Sequence, residues 1–571
     1  MKKVLRINMT GETVAWEALK DDHVLLGNRG LTAKVLTEEV DPACDPLGEE
    51  NKLVFALGLL AGTGFPTANR LSVGTKSPLT KGIKESNSGG NIATFLSRHG
   101  IKLIIVEGKP REKTLSLLHI DADGNAELVK ADEYAGLGAY ELNEKVKSAY
   151  GDNIAVACIG PAGERGYSNS TIQVTDYSTG HPNRALGRGG VGAVMGSRGL
   201  KAIVVERAKK KADIMYADRA QFTRGTRDFT NVLSRNRATA TAMRLFGTMV
   251  GMAVTGKSGA LPVKNFSGER CMILDKIGAT KFQQNISQRG GSSSLPCQPG
   301  CPIKCSNIYN DANGNYLTAA FEYETVAMIG SNCDIDDLDT IARIERMCDD
   351  FGIDTIELGA TIGVCMDTGI LPFGDGEGAL NLVNEIINGT EFGETLAQGT
   401  EVTGKHIGAR RIPTVKGQAM PGYDPRNSKG TGVGYATSPQ GADHTVGTTS
   451  GSARDFLKTG RIQMSQKIQV LYATVDNFMC HFAGLPLAST HRYAIEHIAE
   501  AMAGKYGGEW NADRVFGIGI QTIMLEKAFN RKAGFTPQDD RLPRFFYEEA
   551  SPMTGATFDF TDEELQQVIP F

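Results

Sequence analysis

Short apolar runs dominate the first part of the chain. Each run is rich in Val, Ile and Leu and is bounded by turn residues, a pattern that predicts β-strands. The predicted strands cover residues 4–7, 71–73, 103–107, 115–120, 154–159 and 202–205. Residues 1–209 are therefore predicted to form a β-rich N-terminal domain.

The apolar pattern changes to helical spacing after the charged stretch at residues 206–211. It predicts helical segments at 218–246, 336–351 and 463–488, and the acidic residues at 334–339 suit a helix start. Two mostly α-helical domains are predicted, at 210–413 and 414–571, with the boundary just before a Gly- and Pro-rich segment. The predicted fold class is α+β multidomain.

Charge and hydropathy exclude several classes of function. The chain has 61 Lys and Arg against 65 Asp and Glu, so nothing indicates a nucleic acid partner. The basic start reads as a first strand and not as a signal peptide. The most apolar run, 53–60, is far shorter than the roughly 20 residues of a membrane helix. No membrane span and a cytoplasmic location are expected.

Four of the ten cysteines form a candidate metal site. Cys297, Cys301 and Cys305 lie close together, and Cys480 follows much later. Proline and glycine bend the chain around the first three, so the four thiolates can converge on one soft metal centre. The set suits an iron-sulfur cluster or zinc. The other six cysteines are isolated, which is typical of a reducing compartment.

Glycine is enriched: 68 of the 571 residues are glycine. This is about 12%, whereas the average share in proteins is about 7%. The glycine-rich loops of the first 200 residues can offer backbone NH groups to anionic oxygens, although any one of them alone is more readily read as a tight turn. Residues 187–192 also fit the G-x-G-x-x-G expression of dinucleotide-binding folds, with Glu206 at the ribose position. That interpretation is disfavoured because no hydrophobic strand directly precedes the glycines.

Several motifs share the order found in one known family. They are GTGFPTANR at 62–70, TKSPLT at 75–80, SNSGG at 86–90, IGPAGE at 159–164, RALGRGGVGAVMGS at 184–197, FEYET at 321–325, DDFGIDT at 349–355, YDPR at 423–426 and GYATSPQGADH at 434–444. In this order the chain resembles the aldehyde ferredoxin oxidoreductase family. Members hold a tungsten, sometimes molybdenum, bis-pyranopterin cofactor beside one [4Fe-4S] cluster. The resemblance implies a β-rich base that holds the cofactor and two helical domains that cover it.

The resemblance implies a cofactor-binding set in the N-terminal domain. An arginine matching Arg70 lies between pterin and cluster, where a fixed cation suits anionic groups. Without the family context a surface salt bridge is the simpler reading of Arg70. Asn87 and the carbonyl of Ala185 match ligands of a Mg²⁺ that bridges the two cofactor phosphates, and Arg184 would contact phosphate. The full set is Arg70, Asn87, Gly89, Arg184, Ala185 and Gly187.

The later domains would supply the remaining pterin contacts. Asp349 and Asp354 match the D-x-x-G-L-D motif of the family, with Ile353 in place of leucine; a solvated helix end is the alternative. Before the fourth cysteine, this chain's version of the family motif is one residue shorter than the family's own and lacks the glycine. Asp476 and Met479 are the candidates there. The three clustered cysteines are also spaced C-x3-C-x3-C instead of C-x2-C-x3-C.

Three residues match the family's catalytic positions. Glu324 and His444 correspond to a carboxylate and an imidazole that face the metal, with Tyr423 nearby. Glu322 is an alternative to Glu324 two residues away. Aldehyde oxidation needs a base that activates water and a donor that polarises the carbonyl oxygen. Glu324 suits the first role, and His444, with Tyr423, suits the second.

Three functions are expected, and the one that the motifs support best is given first. The first is a tungsten- or molybdenum-pterin oxidoreductase that oxidises aldehydes and passes electrons to ferredoxin or an iron-sulfur electron-transfer subunit. The second is the catalytic subunit of a larger low-potential complex acting on another substrate, such as an aromatic acyl thioester. The third is a non-catalytic zinc or iron-sulfur protein. Some family members form a homodimer around an iron, but Arg343 stands where a glutamate ligand is expected.

Overall fold

Two mixed β-sheets of six strands each make up the N-terminal part of the protein. A computed structural model describes residues 3–449, 451–452, 454–490 and 492–569. The first sheet contains β1 (Lys3–Asn8), β2 (Thr13–Ala18), β3 (Leu53–Leu57), β4 (Leu71–Lys76), β5 (Ile83–Ser88) and β6 (Ile101–Glu107). The second contains β7 (Ser116–Ile120), β8 (Ala126–Lys130), β9 (Ile154–Cys158), β10 (Ile172–Val174), β11 (Arg184–Leu186) and β12 (Leu200–Glu206). All six predicted strand runs coincide with strands, and the β-rich start is confirmed.

The second sheet repeats the topology of the first. The strand orders are β2-β1-β6-β3-β4-β5 and β8-β7-β12-β9-β10-β11. In each sheet the second and third of these strands pair in parallel, and every other neighbouring pair is antiparallel. The edge strands β5 and β11 occupy equivalent positions and contact each other. The two sheets therefore meet at matching edges, and this pseudo-symmetry was not visible as a sequence repeat.

Helices cover the sheets and form most of the remaining chain. The N-terminal part contributes α1 (Asn28–Glu39), α2 (Ile92–Arg98), α3 (Ala139–Tyr150), α4 (Pro161–Glu164) and α5 (Val191–Ser197). The middle part contains α6 (Arg219–Arg235), α7 (Met243–Phe246), α8 (Val250–Ser258), α9 (Leu274–Ile277), α10 (Ala279–Gln288), α11 (Tyr323–Thr325), α12 (Leu338–Phe351), α13 (Thr355–Asp367), α14 (Gly376–Asn388), α15 (Glu391–Ala397) and α16 (Thr400–His406). The last part contains α17 (Lys429–Thr437), α18 (Arg461–Val475), α19 (Gly484–Thr490), α20 (Arg492–Tyr506), α21 (Ala512–Lys532), α22 (Phe545–Glu548) and α23 (Asp562–Leu565).

Two small sheets interrupt the helices. One is built from β13 (Ser292–Leu295), β14 (Ser306–Asn310) and β15 (Tyr316–Ala319), and the other from β16 (Thr414–Val415) and β17 (Gln418–Ala419). The α+β fold class is therefore confirmed, whereas the three domains and the two boundaries between them stay predictions. Among the helices of the described chain, none combines the length and hydropathy needed to cross a bilayer.

The predicted helical segments are present, and the last one is interrupted where two candidate site residues lie. Asp218 and Asp337 cap α6 and α12 by accepting hydrogen bonds from backbone NH groups of the first turn. The segment predicted at 463–488 is interrupted after Val475, and α19 begins only at Gly484. Asp476 and Cys480 lie in that interruption. The break places both side chains at a helix end, where they can face the interior.

Separate apolar clusters hold the layers together. One cluster packs strands of both sheets against α2 and α5, and another packs the first sheet against α1, α18, α20 and α21. A third lies within the middle helices. The polar residues discussed below lie between these clusters, where the N-terminal sheets meet the later helices.

Candidate active site

The four predicted cysteine ligands come together near the small sheet. Cys297 and Cys305 lie at the two ends of the loop between β13 and β14, with Cys301 at its middle, and all four thiols are buried. Burial and the neighbouring Cys297 and Cys480 raise the pKa of Cys301 to about 12. The backbone at Ile303 and Lys304 offsets part of that rise.

The cysteine sulfurs are not packed as tightly as a single zinc ion requires. In the part of the chain that the structure describes, no three cysteine sulfurs lie within 4.8 Å of one another. Four sulfurs around one zinc would stand about 3.8 Å apart, because each Zn–S bond is about 2.3 Å in a tetrahedron. The assignment of an iron-sulfur cluster to these cysteines stays a prediction.

Arg70 is half-buried beside the cysteines. Burial alone would lower the pKa of its guanidinium, but the charges of Cys480 and Cys297 raise it overall. The guanidinium donates hydrogen bonds to the side-chain and backbone oxygens of Asn87, the latter at 3.1 Å. A Cβ atom at Gly89 would stand 3.0 Å from the Cys297 sulfur and 3.3 Å from the guanidinium. Only glycine leaves room for this close approach.

The two predicted Mg²⁺ ligands occupy equivalent places in the repeated sheets. Asn87 lies on edge strand β5 and Ala185 on edge strand β11, and these strands contact each other. The side-chain oxygen of Asn87 here accepts from Arg70, and its amide nitrogen donates to Ser72 at 2.9 Å. Gly187 follows β11 directly. The Mg²⁺ assignment stays a prediction that this juxtaposition supports.

Arg184 joins the second sheet to the cysteine region. Its guanidinium donates to Asp176 at 2.7 Å and to Glu322 at 3.2 Å, and it also contacts the hydroxyl of Ser306. The charge of Cys297 acts on the same guanidinium. Arg184 is therefore held as a partly buried cation beside the cysteine loop, and Glu322 is one of the groups that hold it.

The first pterin motif lies where α12 ends and α13 begins. Asp354 caps α13 by accepting from the NH of Ile356 at 2.9 Å. Burial raises the pKa of Asp349 to about 8, and one of its carboxyl oxygens has no hydrogen-bond partner among the described residues. The segment 169–173, which leads into β10, adds further buried polar atoms. Those on Asn169, Ser170 and Gln173 have no hydrogen-bond partner in the described chain.

Asp476, the second pterin candidate, belongs to a buried charge network. Arg29 donates to Asp476 at 3.2 Å and to both carboxyl oxygens of Glu526 at 2.8 and 2.9 Å. Burial, opposed by Arg29, raises the pKa of Asp476 to about 8. The side chain of Met479 is buried in the apolar cluster beneath the first sheet. A pterin contact by either residue stays a prediction.

The three catalytic candidates come together although Glu324 precedes Tyr423 by 99 residues and His444 by 120 along the chain. The carboxyl group of Glu324 lies 3.8 Å from Nδ1 of His444 and accepts from the NH of Gly422 at 2.8 Å, next to Tyr423. Burial raises the pKa of Glu324, and the imidazole of His444 offsets part of that rise. The second carboxyl oxygen of Glu324 and Nδ1 of His444 have no hydrogen-bond partner within the described chain.

Several residues of this region were not predicted from the sequence. Arg188 donates to Asp354 at 3.1 Å and to the carbonyl oxygens of Ala442 and Ala419, both at 2.8 Å, so it fixes the approach to His444. Lys84 contacts Asp443, whose pKa is held well below its usual range by Lys84 and Arg188 despite burial. Arg188 belongs to the motif at 184–197, but nothing in the local sequence distinguished it from Arg184.

Two more unpredicted side chains face the same space. The hydroxyl of Tyr435 and Nδ1 of His481 are buried, with no hydrogen-bond partner in the described ranges. Glu324 is the charge that most strongly affects Tyr435. Burial, with a smaller effect of His444, lowers the pKa of His481 to about 3, and its ring stacks on Tyr472 with centroids 3.9 Å apart. Since unsatisfied buried polar atoms are rare in proteins, their concentration here fits a polar cofactor and substrate.

Comparisons with known proteins match nearly the whole chain. A family model described as "Aldehyde ferredoxin oxidoreductase, N-terminal domain" matches residues 4–207, and one described as "Aldehyde ferredoxin oxidoreductase, domains 2 & 3" matches residues 225–570. The tungsten-containing aldehyde ferredoxin oxidoreductase of Pyrococcus horikoshii is 32% identical over 96% of this chain and 92% of the relative. That of Pyrococcus furiosus has the same identity and coverage.

More distant relatives share the scaffold. The aliphatic sulfonate oxidoreductase, WOR-like subunit, of Pyrococcus furiosus is 27% identical over 78% of this chain and 74% of the relative. Among solved structures, the active site complex BamBC of benzoyl coenzyme A reductase superposes with a TM-score of 0.79 at 21% identity. The match covers 99% of this chain and 92% of that chain. This likeness shows a common fold.

Proposed function

Because the chain belongs to the aldehyde ferredoxin oxidoreductase family, we propose that it oxidises aldehydes to carboxylic acids and passes the electrons to an iron-sulfur acceptor. The observation that carries the proposal is the approach of Glu324 to His444 at 3.8 Å in a desolvated space beside four buried cysteines. The relatives named for this activity contain tungsten, so a tungsten bis-pyranopterin is the expected cofactor, with molybdenum as the alternative.

The residues present fit such a cofactor. The four cysteines would hold a [4Fe-4S] cluster, with Arg70 between cluster and pterin. Asp349 and Asp354 would accept hydrogen bonds from pterin nitrogens, and the edge strands that carry Asn87 and Ala185 would meet at the phosphates. The unsatisfied buried atoms of Asp349 and of the strand beside it supply the acceptors and donors that a polar ligand needs. When bound, the metal would accept the two electrons of the oxidation.

The protein side chains would manage water and protons. Oxidation of an aldehyde consumes one water and yields the acid, two electrons and two protons. Glu324, once ionised, would take a proton from that water. Nδ1 of His444 lacks a partner in the described chain and could donate to the aldehyde oxygen, with Tyr423 at the adjoining position. Arg188 and Lys84 hold the segment that carries His444.

Metal content tests the proposal directly. Protein purified without oxygen is expected to contain about four Fe with one W or Mo and about one Mg per chain, and to reduce benzyl viologen when an aldehyde is added. Elemental analysis and this dye assay are the measurements. One Zn with neither W nor Mo would refute the proposal.

The pH profile provides a second prediction. Because burial raises the pKa of Glu324 and the base must be ionised, kcat/KM should fall on the acid side through a pKa above that of an ordinary carboxyl group. His444 lowers the pKa of Glu324. His444→Asn should therefore move this acid limb to higher pH as well as lower kcat. An unchanged limb in the variant would remove Glu324 from the role of base.

A second candidate function uses the same scaffold in a larger complex. It is favoured by the 27% identical relative, whose name designates it a subunit. The chain would then be the catalytic subunit of a low-potential oxidoreductase acting on another substrate, such as an aromatic acyl thioester. Stable co-purification of an iron-sulfur or flavin subunit, with no aldehyde-dependent dye reduction, would favour this alternative.

A further inference from the structure

The chain around the cluster loop lacks acidic residues. No Asp or Glu occurs between Asp228 and Glu269, and none occurs from 291 to 310. The same stretches carry Arg235, Arg237, Arg244 and Lys304. Since the whole chain has a net charge of -4, this concentration of positive charge is local and not a property of the protein's average composition.

Two of these cations, Arg244 and Lys304, directly follow or precede a residue of the buried cysteine cluster. Met243, at the start of α7, packs against Cys301 and Cys305 in one apolar cluster. The next residue, Arg244, is exposed, and its carbonyl oxygen accepts from Ser294 at 2.6 Å, at the strand that leads into the cysteine loop. Gly300, next to Cys301, is itself exposed. The cluster site therefore comes close to the surface beneath α7.

The cations at this surface are not neutralised by the protein. Arg235, Arg237 and Arg244 are exposed and Lys304 is half-buried. Nowhere in the described ranges does a carboxylate lie within 4.0 Å of these four side chains, although many other cations of the chain are paired. Leu245 is 52% exposed among them. An apolar centre with a charged rim is typical of small, transient interfaces.

We propose that α7, the residues before it from Arg235 and the loop 297–305 form the docking surface for a small acidic iron-sulfur protein of the ferredoxin type. This inference rests on the proposed function, since it assumes a cluster on the four cysteines. Electrons leave the cluster singly at the point nearest to the surface, and the unpaired cations attract and orient an acidic acceptor.

Charge reversal separates docking from catalysis. The test variant is Arg237→Glu/Arg244→Glu, and Arg111→Glu/Lys113→Glu, in the exposed loop between β6 and β7, is a control with the same change in net charge. Holoenzyme reduced with dithionite and freed of excess reductant is mixed with an acidic bacterial ferredoxin in a stopped-flow instrument. At low salt the test variant should react about tenfold more slowly than the control, and the difference should vanish at high salt.

The assay needs no aldehyde, so it does not depend on the substrate assignment. Benzyl viologen, a small cationic dye, should be reduced at the wild-type rate by both double variants when aldehyde is supplied. Equal ferredoxin rates in the test variant and the control would overturn the docking proposal. Absence of aldehyde-dependent dye reduction in the wild type would overturn the proposed function instead. If Arg237→Glu/Arg244→Glu does not fold, Arg237→Gln/Arg244→Gln should still show a smaller slowing with a weaker salt dependence.

Discussion

Glu324→Gln is expected to lower kcat by about 10²- to 10⁴-fold, the usual contribution of a positioned general base. The substitution keeps the shape of the side chain, and its carbonyl oxygen can still accept from the NH of Gly422. It removes only the ability to take a proton. Within the described part of the chain the ion pair of Glu324 is with His444 and not with the residues that would hold the cofactor, so metal and iron content should stay normal.

The neighbouring carboxylate provides the comparison for this experiment. Glu322 is 29% exposed and is paired with Arg184 at 3.2 Å, whereas Glu324 faces His444. Glu322→Gln should therefore retain far more of the rate than Glu324→Gln. Steady-state dye reduction, with metal content measured on the same samples, ranks the two. The opposite ranking would transfer the role of base to Glu322, and full activity of Glu324→Gln would exclude it from proton transfer.

Arg29→Met is expected to lower the free energy of unfolding by about 3–5 kcal/mol, the usual cost of leaving buried charge uncompensated. Arg29 is 3% exposed and donates to Glu526 and Asp476. Without it, burial raises the folded-state pKa of Asp476 further above the unfolded value. Stability is then retained while Asp476 is protonated and is lost as the pH rises through the raised pKa. The deficit should therefore grow with pH.

An exposed arginine supplies the control. Arg227 is paired with Asp228 at 2.8 Å, but its side chain is 65% exposed. Arg227→Met should leave the unfolding midpoint close to that of the wild type, because substitutions at exposed surface positions usually change stability little. Urea unfolding at several pH values, followed by fluorescence and circular dichroism, compares the two variants. A midpoint for Arg29→Met equal to that of Arg227→Met at every pH would show that the Arg29 network does not stabilise the fold.

The fold class and the types of residue in the candidate site could be predicted from the sequence alone. Strand and helix periods are local, so the β-rich start and the helical remainder followed from the spacing of apolar residues. The ordered motifs likewise identified the family and placed the candidates Arg70, Asn87, Glu324 and His444. What these motifs encode is a list of positions along the chain, without the distances between them.

Only the tertiary structure decided which of these residues meet. The 3.8 Å approach of Glu324 to His444, the pairing of Asp476 with Arg29, and the unsatisfied hydroxyl of Tyr435 all depend on segments that are distant in sequence. The repeated topology of the two sheets leaves no periodic trace in the sequence. Long-range packing between elements sets pKa values, burial and which side chains become partners. Sequence patterns report only the local backbone and the side that each element buries.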